Sequence, residues 1–191
     1  MLTPVRLMTV AEFEAFVEHS AGDRRFELID GEVVEKMPNE EHGEAASNLH
    51  WALANFIKPR KLGRLVIEAL YKDPADPHNA RQPDIAFTSK HRMLPLTTQG
   101  AAPLIPDLCV EIKSPGNKVT DLRDKAAYYL AHGGRLVWIV YPPQKLVEVY
   151  ASGEDVALLT ETDTLTGGEI LPGFELPVRD IFTLEDAPDE A

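Results

Sequence analysis

The chain has 191 residues, 44% of them hydrophobic, which is enough for one domain with a packed core. Its formal net charge of −12 argues against a surface that attracts nucleic acid on all sides. With a single cysteine, Cys109, no internal disulfide can form. The N-terminus lacks a signal-peptide core, and the longest apolar run (136–141) is too short for a bilayer. We therefore expect a cytoplasmic protein without a membrane partner.

The first elements are predicted to be a helix and a β-hairpin. Thr9 and Glu12 have the spacing of a capping box, in which the two residues bond each other's backbone at a helix start. Two apolar runs at 25–29 and 32–35 flank Asp30-Gly31, a dipeptide typical of tight hairpin turns. An N-terminal helix and a hairpin therefore precede the rest of the fold.

The central region is predicted to alternate helices and strands. In chain order, the predicted elements are a helix at about 41–57, a strand within 62–71, strands at 82–87 and 108–113, a helix at 120–132 and a strand at 136–141. The final strand–helix–strand step requires a parallel pair, whereas the three strands before it are predicted to form an antiparallel meander. The fold class is therefore α/β, as a mixed α+β sheet covered by helices, and Trp51 and Trp138 are predicted core residues.

The C-terminal part differs from the rest in charge. Residues 151–191 contain eleven acidic residues and one basic residue, so most of the net negative charge lies there. A hairpin at about 145–160 and a short apolar segment at 178–184 indicate C-terminal β additions to a single domain over 1–184. Residues 185–191 are expected to form a flexible acidic tail.

Two carboxylates and a lysine carry the strongest chemical signal. Pro83-Asp84 begins one predicted strand, and Glu111-Ile112-Lys113 ends the next. Alternate residues of a strand share a face, so Glu111 and Lys113 point one way and Ile112 points the other. If the strands are neighbours, Asp84 joins Glu111 and Lys113, and the set can hold a divalent ion and its bound water beside an ammonium group. Such a set is suited to the hydrolysis of a phosphodiester.

Each of these residues also has a structural interpretation. Glu111 and Lys113 could lie on a solvated strand face or pair with each other, and an aspartate after proline is common where a strand starts. The charges nevertheless interrupt an apolar strand that the helix at 120–132 should cover, and burial of an unpaired charge is expensive. The small side chains of Ala86 and Cys109 leave room for charged groups, so the functional interpretation is favoured.

An ordered series of motifs along the chain resembles a known family. The matching stretches are 8–13, 26–34, His42, 82–85, 110–115, Asp121 with Lys125 and Tyr128, and 137–140. From about residue 7 to 182, the chain resembles the PD-(D/E)XK nuclease superfamily and, within it, the Uma-two family of restriction-endonuclease-like proteins. The resemblance implies a restriction-endonuclease-like αβββαβ core, with Asp84 and Glu111 as metal ligands and Lys113 as the catalytic lysine.

Three further residues are candidates for the site. The resemblance implies that, in members without a lysine at the position of Lys113, a lysine on the following helix can serve in catalysis. Both are present here, so Lys125 either belongs to the site or pairs with Asp121 four residues earlier, which is the favoured interpretation. Glu27 points away from its apolar neighbours and is either an extra acidic ligand or a solvated residue. His42 either contacts a metal-bound water or a phosphate, or caps the start of its helix.

The residues and the resemblance together favour an endonuclease that hydrolyses DNA with a water activated by Mg²⁺ or Mn²⁺. Asp84, Glu111 and the carbonyl of Ile112 would hold the ion, and Lys113 would orient the water. One alternative is a catalytically silent nuclease-fold module for binding or assembly, which the acidic C-terminal part favours because it repels DNA. Another is a metal-dependent hydrolase of small phosphate compounds. We expect a homodimer, because cutting both DNA strands requires two sites.

Overall fold

A computed structural model describes residues 6–20, 22 and 24–182 of the chain. The helices are α1 (Val10–Ser20), α2 (Glu40–Arg60) and α3 (Val119–Ala131). The strands are β1 (Arg25–Ile29), β2 (Glu32–Lys36), β3 (Gly63–Ile67), β4 (Ile85–Ser89), β5 (Leu108–Ile112), β6 (Leu136–Tyr141), β7 (Leu146–Ala151), β8 (Ala157–Leu159), β9 (Thr164–Gly167) and β10 (Leu171–Pro177). The predicted acidic tail at 185–191 lies outside the described residues.

Six strands form one mixed sheet in the order β3-β4-β5-β6-β7-β8, and the pairs β1-β2 and β9-β10 form two-stranded sheets. The strands β3, β4 and β5 are an antiparallel meander, whereas β5 and β6 are parallel and α3 connects them. This arrangement confirms the predicted fold class and the element order αβββαβ from α2 to β6. None of the described helices is both long and apolar enough to cross a bilayer.

The two faces of the large sheet pack against different helices. Leu53 of α2 and Val110 of β5 belong to one apolar cluster, and Ala126 of α3 and Cys109 of β5 belong to another. The adjacent residues Cys109 and Val110 thus face opposite layers, as alternation along a strand requires. Because β5 is buried on both faces, a charged side chain on it must find a partner or a ligand.

The N-terminal helix and hairpin form a third apolar cluster, which includes Phe13, Phe26 and Leu28. Leu28 and Ala80 exchange two backbone hydrogen bonds, of 2.8 and 2.9 Å, which tie β1 to the segment before β4. The hairpin is thereby fixed beside the chain that leads to Asp84.

Two helix boundaries have clear local causes. The predicted capping box is present, because the N–H of Thr9 donates to Oε2 of Glu12 (2.9 Å) and the N–H of Glu12 donates to Oγ1 of Thr9 (3.4 Å). Helix α2 continues to Arg60, beyond its predicted end, until Lys61 adopts a left-handed conformation with φ of 53° and its N–H donates to the carbonyl of Ile57.

Two expectations about the periphery need correction. Trp51 is 70% exposed, so its prediction as a core residue is wrong, whereas Trp138 is fully buried as predicted. Trp51 is two residues away from both Leu49 and Leu53, so it lies about 200° around α2 from the buried stripe. The hairpin β9-β10 was not predicted as separate strands, although Leu165 of β9 is fully buried.

Candidate active site

A pocket of about 310 Å³ lies beside the hairpin β1-β2, the ends of β4 and β5, and helix α3. Among the acidic residues that line it, Glu27 of β1, Asp84 before β4 and Glu111 of β5 are buried, each at most 4% exposed. Lys36 of β2 and Lys125 of α3 add two ammonium groups. Distant parts of the chain therefore place five ionisable side chains in one cavity, an arrangement typical of functional sites.

The backbone of β5 positions Asp84. Strand β4 begins at Ile85, so Asp84 immediately precedes the strand instead of lying inside it as predicted. Its N–H donates to the carbonyl of Val110 (2.9 Å), and its Oδ2 accepts a hydrogen bond from the N–H of Ile112 (2.7 Å). These bonds fix the Asp84 carboxylate at the end of β5.

Two basic side chains contact the Asp84 carboxylate. The Nζ of Lys36 lies 2.6 Å from Oδ1, and Nε2 of His42 lies 3.1 Å from Oδ2. Burial raises the pKa of Asp84, but Lys36 and His42 together outweigh burial and hold the pKa well below its usual range. For Lys36, burial lowers the pKa, but the nearby carboxylates, Asp84 first, outweigh burial and raise the pKa above its usual value. At neutral pH, Asp84 and Lys36 therefore form a buried ion pair.

Glu111 behaves differently from Asp84. Its Oε1 accepts a hydrogen bond from the hydroxyl of Tyr129 (2.7 Å), and its Oε2 lies 3.1 Å from Nζ of Lys125. Burial raises the pKa of Glu111 above its usual value in spite of the ammonium groups of Lys125 and Lys36. Two carboxyl groups of one pocket are thus shifted in opposite directions, a pattern that enzymes use to divide roles between acids.

Lys125 joins the hairpin to the sheet. Its Nζ lies 2.6 Å from Oε2 of Glu27 as well as 3.1 Å from Glu111, and Oε1 of Glu27 accepts a hydrogen bond from the N–H of Gln82 (2.6 Å). Burial lowers the pKa of Lys125, but Glu111 and Glu27 raise it well above its usual value. The ammonium group therefore pairs with two site carboxylates, and not with Asp121 as the favoured interpretation of the sequence held.

The other two candidate residues take different positions. His42 does not cap its helix, because Asn39 is the N-cap and its Oδ1 accepts a hydrogen bond from the N–H of His42 (3.0 Å). The His42 ring instead reaches Asp84. Lys113 follows the last residue of β5, and its Nζ donates to the carbonyl of Ser114 (3.3 Å). Lys113 is not among the described residues that line the pocket, so the structure does not bring it together with the two carboxylates.

Sequence reasoning missed Lys36 and Tyr129, although both left a signal. Glu27 and Val34 are cross-strand partners in the hairpin, so Lys36, two residues after Val34, shares the face of Glu27. Tyr129 follows Lys125 by four residues, so one face of α3 presents both side chains. The predicted hairpin and helix were therefore sufficient to nominate these residues.

The chemistry of the pocket suits a hard cation. Nine acidic residues line the pocket together with four lysines and arginines, so negative charge is in excess when these groups are ionised. Among residues 6–20, 22 and 24–182, no three His, Cys, Asp or Glu side chains are grouped so that they could hold a metal ion. An ion bound here would have to use one or two carboxylates together with backbone oxygen, water or substrate, which is the coordination that Mg²⁺ commonly accepts.

Comparisons with known proteins point to nucleases. The family model Uma2, described as "Putative restriction endonuclease", matches residues 10–179. The crystal structure of a putative nuclease belonging to DUF820 from Anabaena variabilis superposes with a TM-score of 0.79 at 20% sequence identity, over 92% of this chain and 97% of that chain. This similarity shows that the two chains share a fold.

Two other comparisons carry no functional argument. A DrdV–DNA complex determined by cryo-electron microscopy aligns with a TM-score of only 0.33 at 12% identity, over 61% of this chain and 85% of that chain. The search of curated proteins found no match.

Proposed function

The chain belongs to the Uma2 family, and from this premise we propose that it is a metal-dependent endonuclease that hydrolyses DNA phosphodiester bonds. The observation that carries the proposal is the convergence of Glu27, Asp84 and Glu111 on one pocket beside two lysines. The fold that the chain shares with the putative nuclease from Anabaena variabilis supports it further.

The proposed cofactor is Mg²⁺ or Mn²⁺, held by Asp84, Glu111 and the carbonyl of Ile112. Hard carboxylate oxygens prefer these ions to zinc, and the excess negative charge of the pocket favours a cation. When bound, such an ion supplies an acidified water and Lewis-acid stabilisation of the reacting phosphate.

The protein's own side chains would hold the carboxylates of Asp84 and Glu111 in place. Lys36 and His42 hold the Asp84 carboxylate, and Lys125 holds Glu111 against Glu27. The raised pKa values of Lys36 and Lys125 keep both ammonium groups charged at neutral pH, so they can stabilise negative charge that develops on the phosphate oxygens.

Two residues compete for the role of catalytic lysine. The sequence pattern favours Lys113, and the contacts with Glu111 and Glu27 favour Lys125. Single-turnover cleavage by folded Lys113→Met and Lys125→Met separates them, because loss of the catalytic lysine lowers the rate of the chemical step and leaves DNA binding largely intact.

The proposal is tested by incubating purified protein with plasmid and single-stranded DNA in Mg²⁺, in Mn²⁺ and in EDTA. We expect cleavage with either ion, none with EDTA, and none by Asp84→Ala. Asp155→Ala, which removes an exposed carboxylate between β7 and β8, is the matched charge control and should cleave like the wild type. Equal cleavage by Asp84→Ala would refute the assignment.

A second candidate function is a catalytically silent nuclease-fold module. One observation supports this alternative: all four carboxylate oxygens of Asp84 and Glu111 already contact protein groups. Calorimetry with Mn²⁺ separates the candidates, since an enzyme binds the ion at a site that Glu111→Gln destroys. Absence of binding to the wild type at millimolar Mn²⁺ would favour the silent module.

We propose a cytoplasmic homodimer, because the one cysteine is free and buried and because two cuts require two sites. Sedimentation equilibrium tests the dimer, and a purely monomeric protein at assay concentrations would contradict it.

A further inference from the structure

Arg81 occupies a rigid position in the same pocket, three residues before Asp84. Arg81 and Tyr71 exchange two backbone hydrogen bonds, each of 2.9 Å, in an isolated antiparallel bridge. Arg81 is one of the residues that line the pocket, and it is only 4% exposed. Neither its backbone nor its side chain therefore belongs to a loosely held surface loop.

The other basic residues that line the pocket all have acidic partners. The ion pairs are Arg25–Glu68, Lys36–Asp84, His42–Asp84, Lys125–Glu27 and Lys125–Glu111. Within the part of the chain that the structure describes, Arg81 makes no ion pair, and its buried Nε has no hydrogen-bond partner. Burial of a charged donor without an acceptor is unfavourable, so such a group calls for an acceptor from outside the chain, such as a ligand, an ion or a water.

An aromatic ring holds the guanidinium without satisfying its donors. The Arg81 Cζ lies 4.6 Å from the centre of the Tyr128 ring, within cation–π distance. A ring face attracts the positive charge and orients the guanidinium plane, but it offers no acceptor in that plane. Tyr128 therefore holds the Arg81 guanidinium in place, while the guanidinium N–H groups stay available for an acceptor.

We infer that Arg81 binds a non-bridging phosphate oxygen of the nucleic-acid backbone next to Asp84 and Glu111. The planar guanidinium matches the geometry of phosphate oxygens and keeps its charge in a buried site. A substrate phosphate entering a pocket with excess carboxylate needs a cation that no carboxylate has already neutralised, and Arg81 meets this requirement. The inference rests on the proposed function and adds a substrate-binding residue to it.

The inference is tested by fluorescence anisotropy with a short fluorescein-labelled DNA duplex in Ca²⁺, at NaCl concentrations from about 50 to 200 mM. Arg81→Met keeps an aliphatic side chain on Tyr128 and removes the charge. We expect about tenfold weaker binding and a slope of log K against log salt that is smaller by about 1. Arg81→Lys should keep the slope but bind more weakly, because an ammonium lacks the planar fork.

Arg123→Met is the matched control. Arg123 is paired with Glu148 and does not line the pocket, so its loss changes the net charge equally and should leave the slope unchanged. Thermal unfolding of every variant identifies those that remain folded. If Arg81→Met does not fold, folded Arg81→Lys decides, because a purely structural role predicts wild-type affinity for it.

The outcomes separate this inference from the proposed function. Wild-type affinity and slope in folded Arg81→Met overturn the role of Arg81, even if the wild type cleaves DNA. A wild type that binds DNA through Arg81 but never cleaves it supports the inference and refutes the proposed activity. A wild type that binds no DNA at all overturns both.

Discussion

The two ends of the strand pair β4-β5 carry the same local arrangement with different surroundings. Asp84 precedes β4 and accepts the N–H of Ile112 at the end of β5, and Asp107 precedes β5 and accepts the N–H of Ser89 at the end of β4 (2.8 Å). Asp107 also accepts hydrogen bonds from the Ser89 hydroxyl (2.7 Å) and from Arg92 (2.8 Å). The two aspartates thus hold the two opposite ends of the antiparallel pair β4-β5.

The difference lies in what surrounds each carboxylate. Asp107 contacts Ser89 of β4, Arg92 of the segment that follows and, at 3.9 Å, Arg135 before β6, and both arginines are at least partly exposed. Asp84 receives Lys36 and His42 from β2 and α2 and lies in a pocket with Glu111 and Glu27. An aspartate at a strand end therefore has a structural role by itself, and the additional charges around Asp84 are what distinguish the end that we propose as the active site.

The largest expected difference between the two ends concerns cleavage. Asp84→Asn keeps an acceptor for the N–H of Ile112 but removes the charge, so we expect the cleavage rate with Mg²⁺ to fall by about 10³-fold. Asp107→Asn, assayed where it is folded, should cleave within about twofold of the wild type. Comparable losses in both variants would mean that the two ends do not differ in function.

Removal of Lys125 tests how strongly the charged end depends on its ion pairs. In Lys125→Met, Glu27 and Glu111 stay buried without their shared ammonium group, so urea unfolding should show a loss of about 3–5 kcal/mol. Lys113→Met is the control and should change the free energy of unfolding by less than about 0.5 kcal/mol. Equal stabilities of the two variants would contradict the contacts of Lys125.

Removal of the charge at the other end should affect stability alone. Asp107→Asn deprives Arg92 of its charged partner and weakens the hydrogen bonds from Ser89, so we expect the free energy of unfolding to fall by about 1–3 kcal/mol. Chemical denaturation at neutral pH measures this loss. An unchanged midpoint would show that Asp107 is not the structural counterpart of Asp84.

The smallest expected effect is a difference in pH dependence. Ser89 and Arg92 outweigh burial and lower the pKa of Asp107 below its usual value. A carboxyl with a lowered folded-state pKa stabilises the protein above its unfolded pKa of about 3.9 and loses this contribution as pH falls through the folded pKa. Stability measured between neutral and acid pH should therefore fall less steeply in Asp107→Asn than in the wild type. Parallel curves would contradict the lowered pKa.

Most of the fold followed from local patterns. The capping box at Thr9, the Asp30-Gly31 turn and the alternation along β5 depend on residues close in sequence, and the structure contains each of them. The hairpin β9-β10 and the exposed Trp51 did not follow, because burial there depends on which distant elements pack against them. The role of Lys113 as the catalytic lysine stays a prediction.

The sequence by itself determined which faces carry charge, because strand alternation is local: it separated Glu111 from its apolar neighbours and set Asp84 at the start of the adjacent strand. Only the tertiary structure decided which cations meet them. Lys36 is 48 positions from Asp84. The Glu27 carboxylate likewise accepts a hydrogen bond from the backbone N–H of Gln82, 55 positions away. Such pairings depend on where the hairpin docks on the sheet, and docking is set by apolar packing that no short motif encodes.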